Sequence, residues 1–228
     1  MGKLWKSFFN YALTSKYVDK IIVYSAYECK YLQQKFHIKP SMIDWTNFGM
    51  PDESTSYKVT ADVPDQNGYF LDVGRSNRDH DFMVRSMRES TYNVHIVDYY
   101  YGGSSNNCKV IKDITFGHDL YNEIANFFAV VVPLADINIS AGQTVFIQAM
   151  MFEKTIIVTE SNTISEYVQD QVNGLIIKKN PEDLRDAMNE LVNDKRLHCR
   201  LSENAKKMYQ EKFTREKLDF NIGKIITN

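Results

Sequence analysis

From Gly68 onward, short apolar runs alternate with helix-like segments at nearly regular spacing, and no other feature restricts the fold as much. GYFLDVG precedes HDFMVRSMRES, YNVHIVD precedes KVIKDI, and LYNEIANFF leads into AVVVPL. TIIVTE, a short ISEYV helix and NGLII follow, before a helical tail that begins at Pro181. Most of these runs lack a polar face, as expected of strands covered on both sides. Such strands separated by helices build a parallel sheet sandwiched between helical layers. The expectation is an α/β protein with a doubly wound, Rossmann-like parallel sheet. In such folds ligands sit beyond the carboxyl ends of the strands, in the loops that lead into helices.

Ahead of this repeat lies a smaller unit. VDKIIVYS is a short strand, AYECKYLQQKFHI a helix that stops before Pro40, and MIDWTNFGMP a second strand closing in a turn. DESTSYKVTADVPDQNG is polar, contains proline and has no clear period, which makes it the linker. The expected division is a short N-terminal unit over 1–55 and the main domain over 56–228. Residues 1–16 set Lys3, Lys6 and Lys16 beside Leu4, Trp5, Phe8, Phe9 and Tyr11 at roughly helical spacing. A basic, aromatic helix of this kind either packs on its own protein or lies on a lipid surface.

Composition mainly excludes. Twenty-seven basic and 29 acidic residues leave a formal charge of -2, which offers no bulk field for nucleic acid, so any anion must be held by a local site. No run approaches the roughly 18 to 20 apolar residues that span a bilayer, and no signal-peptide core is visible. These features suggest a cytoplasmic protein, with residues 1–16 as a point of peripheral contact at the inner membrane face. Cys29, Cys108 and Cys199 are scattered and odd in number, fitting reduced thiols, and the five histidines show no metal-ligand spacing.

Two loops carry candidate chemistry. In DVGRSNRDHDF a strand ends at Gly74, and Arg75 and Arg78 follow before a helix that begins near Asp79 to Asp81. Guanidinium groups present planar forks of donors suited to phosphate oxygens, and a helix start adds N–H groups and a positive dipole end. The same arginines are otherwise solvated or paired with Asp79 and Asp81. In SAGQTVFIQAM, the small residues Ser140, Ala141 and Gly142 admit a ligand to the backbone, where the N–H groups of Gln143 and Thr144 suit a negative oxygen or a sugar hydroxyl. The amphipathic helix that follows turns Val145, Ala149 and Phe152 inward, with Gln148 near the same cleft. Ser140 is equally an ordinary helix cap.

Together, VDKIIVYSAYECKYLQQKFHI, YFLDVGRSNRD and the run from FGHDLYNEIANFF through AVVVPLADINISAGQTVFIQAMMFEKTIIVTE to NGLIIKKNPEDL resemble the C-terminal half of the group 1 glycosyltransferases of the GT-B fold. The likeness covers most of residues 17 to 218. It rests on the Gly-Arg after the first strand of the domain, the proline-containing strand before a small turn, the AM-x-x-x-K-x-I-I-V-T block and NGLII followed by PEDL. The resemblance implies a domain that binds a nucleotide sugar. It implies that Arg75 and Arg78, with Gly74, Gly142, Gln143 and Thr144, hold the donor diphosphate. Ser140, Ala141, Gln148 and Glu166 would lie against the donor sugar and ribose, and Phe116 and Gly117 in the base-side loop.

The resemblance further implies a retaining, hexosyltransferase-like enzyme of polysaccharide or glycolipid synthesis that needs no metal and no cofactor beyond its nucleotide-sugar substrate. Residues 1–55 then correspond to the end of an acceptor domain, so a separate acceptor-domain chain or a homo-oligomer is the implied protein partner. Catalytic residues of the acceptor side are not assignable. Two glutamates eight positions apart are usual in the family, yet Ser140 and Gln148 stand there, and neither ionises. That departure, with the chain's length, leaves a second function open: a non-catalytic nucleotide-sugar-binding or docking subunit, or a truncated relic.

Overall fold

A computed structural model describes residues 7, 11–58, 69–97, 106–114 and 117–227. The main sheet contains β3 (Tyr69–Asp72), β4 (Asn93–Val97), β5 (Cys108–Ile111), β6 (Ala129–Val132), β7 (Thr155–Thr159) and β8 (Leu175–Ile177). Its order is β5-β4-β3-β6-β7-β8, with every pairing parallel. Counting from its own first strand, the sheet runs 3-2-1-4-5-6, the doubly wound order expected from the alternation.

Side-chain alternation along the strands feeds two cores. Val130, Val132, Ile156 and Val158 face one layer, built by α3 (His118–Asn126), α4 (Gln143–Met151) and the π-turn Tyr209–Phe213. Phe70, Ala129, Val131 and Ile157 face the other, built by α2 (His80–Met87) and α5 (Pro181–Asn193). The helix α6 (Lys195–Met208) contributes to both, through Leu197 and Leu201 on one side and Ala205 on the other. Covered twice, β6 and β7 are buried along their whole length, which is why their sequences carry no polar face.

One expectation changes. The helix expected to be amphipathic is α4, and its residues Val145 through Met151 are all buried. Val145, Ala149 and Phe152 do point inward, but α4 is wedged between the sheet and α6, so beyond the exposed Thr144 of its first turn the helix has no solvent face. The segment ISEYV forms a single 3-10 turn, Ile164–Glu166, in place of a longer helix.

The N-terminal unit is a parallel two-stranded sheet of β1 (Ile21–Val23) and β2 (Ile43–Trp45), joined by α1 (Ala26–Phe36). Cys29, Ile38 and Ile43 form its small core. It is tied to the main domain by buried Tyr167, whose hydroxyl donates to the carbonyl of Tyr24 at 2.7 Å and accepts from the N–H of Phe48 at 2.9 Å. The chain then crosses below the C-terminal helix α7 (Arg215–Thr227), where Gly49 passes so close to Thr214 that a Cβ would sit 2.4 Å from its carbonyl oxygen. Residues 1–6, 8–10, 59–68 and 98–105, with most of the basic aromatic stretch, much of the linker and most of the three-tyrosine loop, lie outside the described residues. Among the described residues no helix is long and apolar enough to cross a membrane.

Candidate functional site

The winding reverses between β3 and β6. After β3 the chain enters α2 on one face of the sheet, whereas after β6 it enters α4 on the other, so the loops leaving the two strands diverge and open a crevice. A pocket of about 380 Å³ occupies it, lined by Gly74, Arg75, Ser76, Arg78, Leu120, Gly142, Thr144, Val145 and Gln148. Six of the residues singled out from the sequence, Gly74, Arg75, Arg78, Gly142, Thr144 and Gln148, therefore meet in one cavity.

Arg78 forms part of its wall. Its Nε donates to the carbonyl of Val73 at 3.0 Å and its Nη1 to that of Ser76 at 2.9 Å, which locks the guanidinium in place and leaves further N–H donors for a ligand. Gly74 makes this possible: its φ is +117°, and a Cβ would lie 2.7 Å from Nη2 of Arg78. Burial pushes the Arg78 pKa below its ordinary value, and the nearby Asp72 charge opposes the shift. Arg75 is exposed at the rim.

The opposite wall is the start of α4. Gly142 is its N-cap residue, at φ +96°, and no side chain caps the helix. Ser140 does not serve as the cap, because its Oγ accepts from Nε2 of Gln143. The first-turn N–H groups of α4 thus stand without side-chain acceptors at the mouth of a pocket that contains two arginines. Deeper, Gln148 is only 8% exposed, and its amide has no hydrogen-bond partner among the described residues. Lining the pocket, this amide can both donate to and accept from a ligand.

Other expected residues lie elsewhere. Ala141 is buried, and Ser140 and Gln143 bond to each other outside the pocket lining. Glu166 faces the N-terminal unit: its Oε1 accepts from the N–H of Ala26 at 2.9 Å and of Tyr27 at 3.3 Å, capping α1 from across the cleft. Its Oε2 is buried with no partner among the described residues. Gly117 is the N-cap residue of α3, next to the Leu120 that lines the pocket, and Phe116 lies outside the described residues.

Three side chains that matter here were not picked out from the sequence. Asn77, at φ +54°, donates to the carbonyls of Asp136 and Ile139 and accepts from the N–H of Asp136 at 2.8 Å, clamping both ends of the loop that precedes Ser140. Beside it, backbone bonds from Ala135 to Asn77 and from Asp79 to Pro133 join the two loops into one platform. Fully buried Asp72 and half-buried His80 lie beneath Gly74, with His80 Nδ1 2.8 Å from Asp72 Oδ2 and Nε2 3.2 Å from the Gly74 carbonyl. Asn77 carries one signal visible in sequence, since asparagine tolerates left-handed backbone. Among the described residues no three His, Cys, Asp or Glu side chains gather as a metal site.

Comparison with known proteins fits this geometry. Residues 103–208 match the sequence model of the family described as glycosyl transferases group 1. An uncharacterised glycosyltransferase of Methanocaldococcus jannaschii is 25% identical over 231 residues, covering 96% of this chain and 61% of the relative. Sucrose-phosphate synthase from Thermosynechococcus elongatus is similar in structure, with a TM-score of 0.79 at 16% identity, over 99% of this chain and 61% of that one. Anabaena HepE in complex with UDP and glucose gives a TM-score of 0.73 at 13% identity, over 92% of this chain and 63% of its own. The chain thus spans 61 to 63% of the length of these three proteins, and the structural likeness is one of fold, the GT-B arrangement of a Rossmann-like domain. Over residues 103–208 this chain is thus similar to the family described as glycosyl transferases group 1.

Proposed function

We propose that the crevice between β3 and β6 binds a nucleotide sugar and that the chain is the donor-binding part of a glycosyltransferase. The observation that carries this reading is the pairing, in one pocket, of the uncapped start of α4 with the anchored guanidinium of Arg78. When a glycosidic bond to a nucleoside diphosphate breaks, negative charge grows on the leaving phosphate. Fixed N–H dipoles and arginines stabilise that charge without reorganising. Arg78 and the N–H groups of Gln143 and Thr144 would hold the diphosphate, with Arg75 closing over it from the rim. Gln148 would satisfy its amide on ribose hydroxyls, and Gly117 would border the base. Two cationic side chains and a helix terminus offset the diphosphate charge, so the design needs no metal. Transfer with retention to a polysaccharide or glycolipid acceptor follows the family resemblance, with the acceptor supplied from beyond this domain.

A second reading is favoured by one observation: Ser140 and Gln148 offer no carboxylate where the family usually has two. Under it the chain binds the nucleotide sugar without transferring it, as a subunit. Calorimetry with UDP-glucose and GDP-mannose, repeated on Arg78→Ala, tests both. Binding that falls by about 10- to 100-fold in the variant, the loss expected for hydrogen bonds to a charged group, supports a donor site. Hydrolysis or transfer of the bound sugar then favours the enzyme, and tight binding without turnover favours the subunit. Unchanged affinity in Arg78→Ala would remove Arg78 from the site.

A further inference from the structure

We propose that His80 is a positioning residue of the donor pocket: with both ring nitrogens protonated it bridges Asp72 to the Gly74 carbonyl and so fixes the peptide that presents Arg75 to a nucleotide sugar. The inference rests on the reading of the pocket as a donor site and adds a residue that no part of that reading uses.

The argument starts from hydrogen-bond chemistry. A neutral imidazole has one N–H and one lone pair, whereas His80 turns Nδ1 to a carboxylate oxygen at 2.8 Å and Nε2 to a carbonyl oxygen at 3.2 Å. Both neighbours are acceptors, so both contacts are satisfied only by the imidazolium. Asp72 is fully buried, and its second oxygen, Oδ1, has no partner among the described residues. Among the described residues, His80 is therefore the side chain that hydrogen-bonds that carboxylate. Burial pulls the His80 pKa down, but the hydrogen bond and charge of Asp72 and the Gly74 carbonyl outweigh it. The pKa ends above its ordinary value despite the opposing charge of Arg78.

Surrounding charges leave this arrangement intact. Asp79 and Lys179 pair with each other at 2.8 Å. Cys108 on β5 is pushed up to about 11 by burial and the Asp72 charge, so it stays a neutral thiol. Asp81, on the next residue of α2, is exposed. Among the described residues, the charge of Asp72 raises the His80 pKa and that of Arg78 lowers it.

Loss of the proton has two effects with the same sign. Nε2 would turn a lone pair toward the Gly74 oxygen, releasing a peptide held at φ +117° immediately before Arg75. Uncompensated, the Asp72 carboxylate would then oppose a diphosphate in the pocket above it. Because the raised pKa belongs to a base, the favourable state exists at low pH and is lost as pH rises through it. Affinity for a nucleotide sugar should fall over that interval.

The test is calorimetry with UDP-glucose and GDP-mannose from pH 5.5 to 9, since a nucleotide sugar has no ionisable phosphate in that range. NMR titration of the His80 ring is run alongside on the ligand-free protein. The expected result is an affinity that drops by about tenfold with rising pH, as one proton is lost, with a midpoint matching the His80 titration. His80→Gln should flatten the profile. If that variant misfolds, Asp72→Asn should instead move both midpoints to lower pH by weakening the hold on the proton. Binding that is independent of pH while His80 titrates would overturn the proposal and leave the donor site standing. Absence of binding at every pH, with His80 still titrating, would overturn the donor reading and the proposal with it.

Discussion

Gly142 is the position at which a single added methyl group tests the geometry most sharply. An alanine there would place Cβ 2.6 Å from Cζ and 2.9 Å from Cε2 of Phe146, a ring only 1% exposed and enclosed by the main core. Carbon atoms rest at about 3.5 Å or more, so relief requires the start of α4 to move by about 0.9 Å. Two costs combine. Holding an L-residue at φ +96° costs about 1 to 2 kcal/mol, and overpacking a filled core costs about 1 to 3 kcal/mol. Gly142→Ala should therefore lose about 2 to 5 kcal/mol in urea unfolding at unchanged m value. It should also weaken nucleotide-sugar binding by about tenfold or more, because the displaced N–H groups are the proposed phosphate donors. Phe146→Leu removes the ring atoms that clash, so the pair Gly142→Ala/Phe146→Leu should be more stable than the sum of its singles by about 1 kcal/mol or more. Strict additivity would refute the packing argument and leave only the backbone term.

The clamp at Asn77 predicts that Asn77→Gly, which keeps the positive φ free of strain, costs about 2 to 3 kcal/mol at about 1 kcal/mol per lost hydrogen bond. Limited proteolysis should then cut the 135–142 loop, and an uncut loop would show that the backbone bonds alone suffice. Lys154 is buried, and burial lowers its pKa to about 8. Between pH 8 and its unfolded value near 10.5 the unfolded chain binds the extra proton, so stability should rise with pH by about 2 to 4 kcal/mol. Lys154→Met should abolish that rise in urea titrations at successive pH values, and a persistent rise would assign it to another group. Glu166→Ala should remove the acceptor at the start of α1 and cost about 1 to 2 kcal/mol, read by thermal unfolding. Glu166→Gln, which keeps the accepting oxygen, should lose less, and equal losses would argue against the cap.

What could be read in advance followed from how each feature is encoded. Strands β6 and β7 were legible because burial on two faces makes AVVV and TIIVT apolar without interruption, and Gly74 and Gly142 because turns with φ near +100° favour glycine. The convergence of Arg78 with Gln148 was legible through order along the chain, since the sheet order brings the ends of β3 and β6 together. Asp72 was not, because an aspartate at the end of a strand looks the same whether it meets water or a buried histidine. Nor was the placement of Glu166, which depends on how the N-terminal unit docks and not on its neighbours in sequence. The burial of α4 from Val145 to Met151 was missed for a related reason: a helical period shows one apolar face but does not report a second layer that covers the other.

The hydroxyl of Tyr167 has a consequence for how the molecule opens. Two paired strands and one helix are too few to persist alone in water, so the unit of β1, α1 and β2 takes its stability from what it leans on. Its polar link to the main domain includes a single buried phenol bonded to the backbone on both sides of that unit, at Tyr24 and at Phe48. Releasing the unit exposes that phenol and breaks both bonds together, which removes a low-energy route for it to detach by itself. In amide hydrogen exchange, the protected amides of β1 and β2 should therefore follow those of the large sheet, marking the two as one cooperative folding unit.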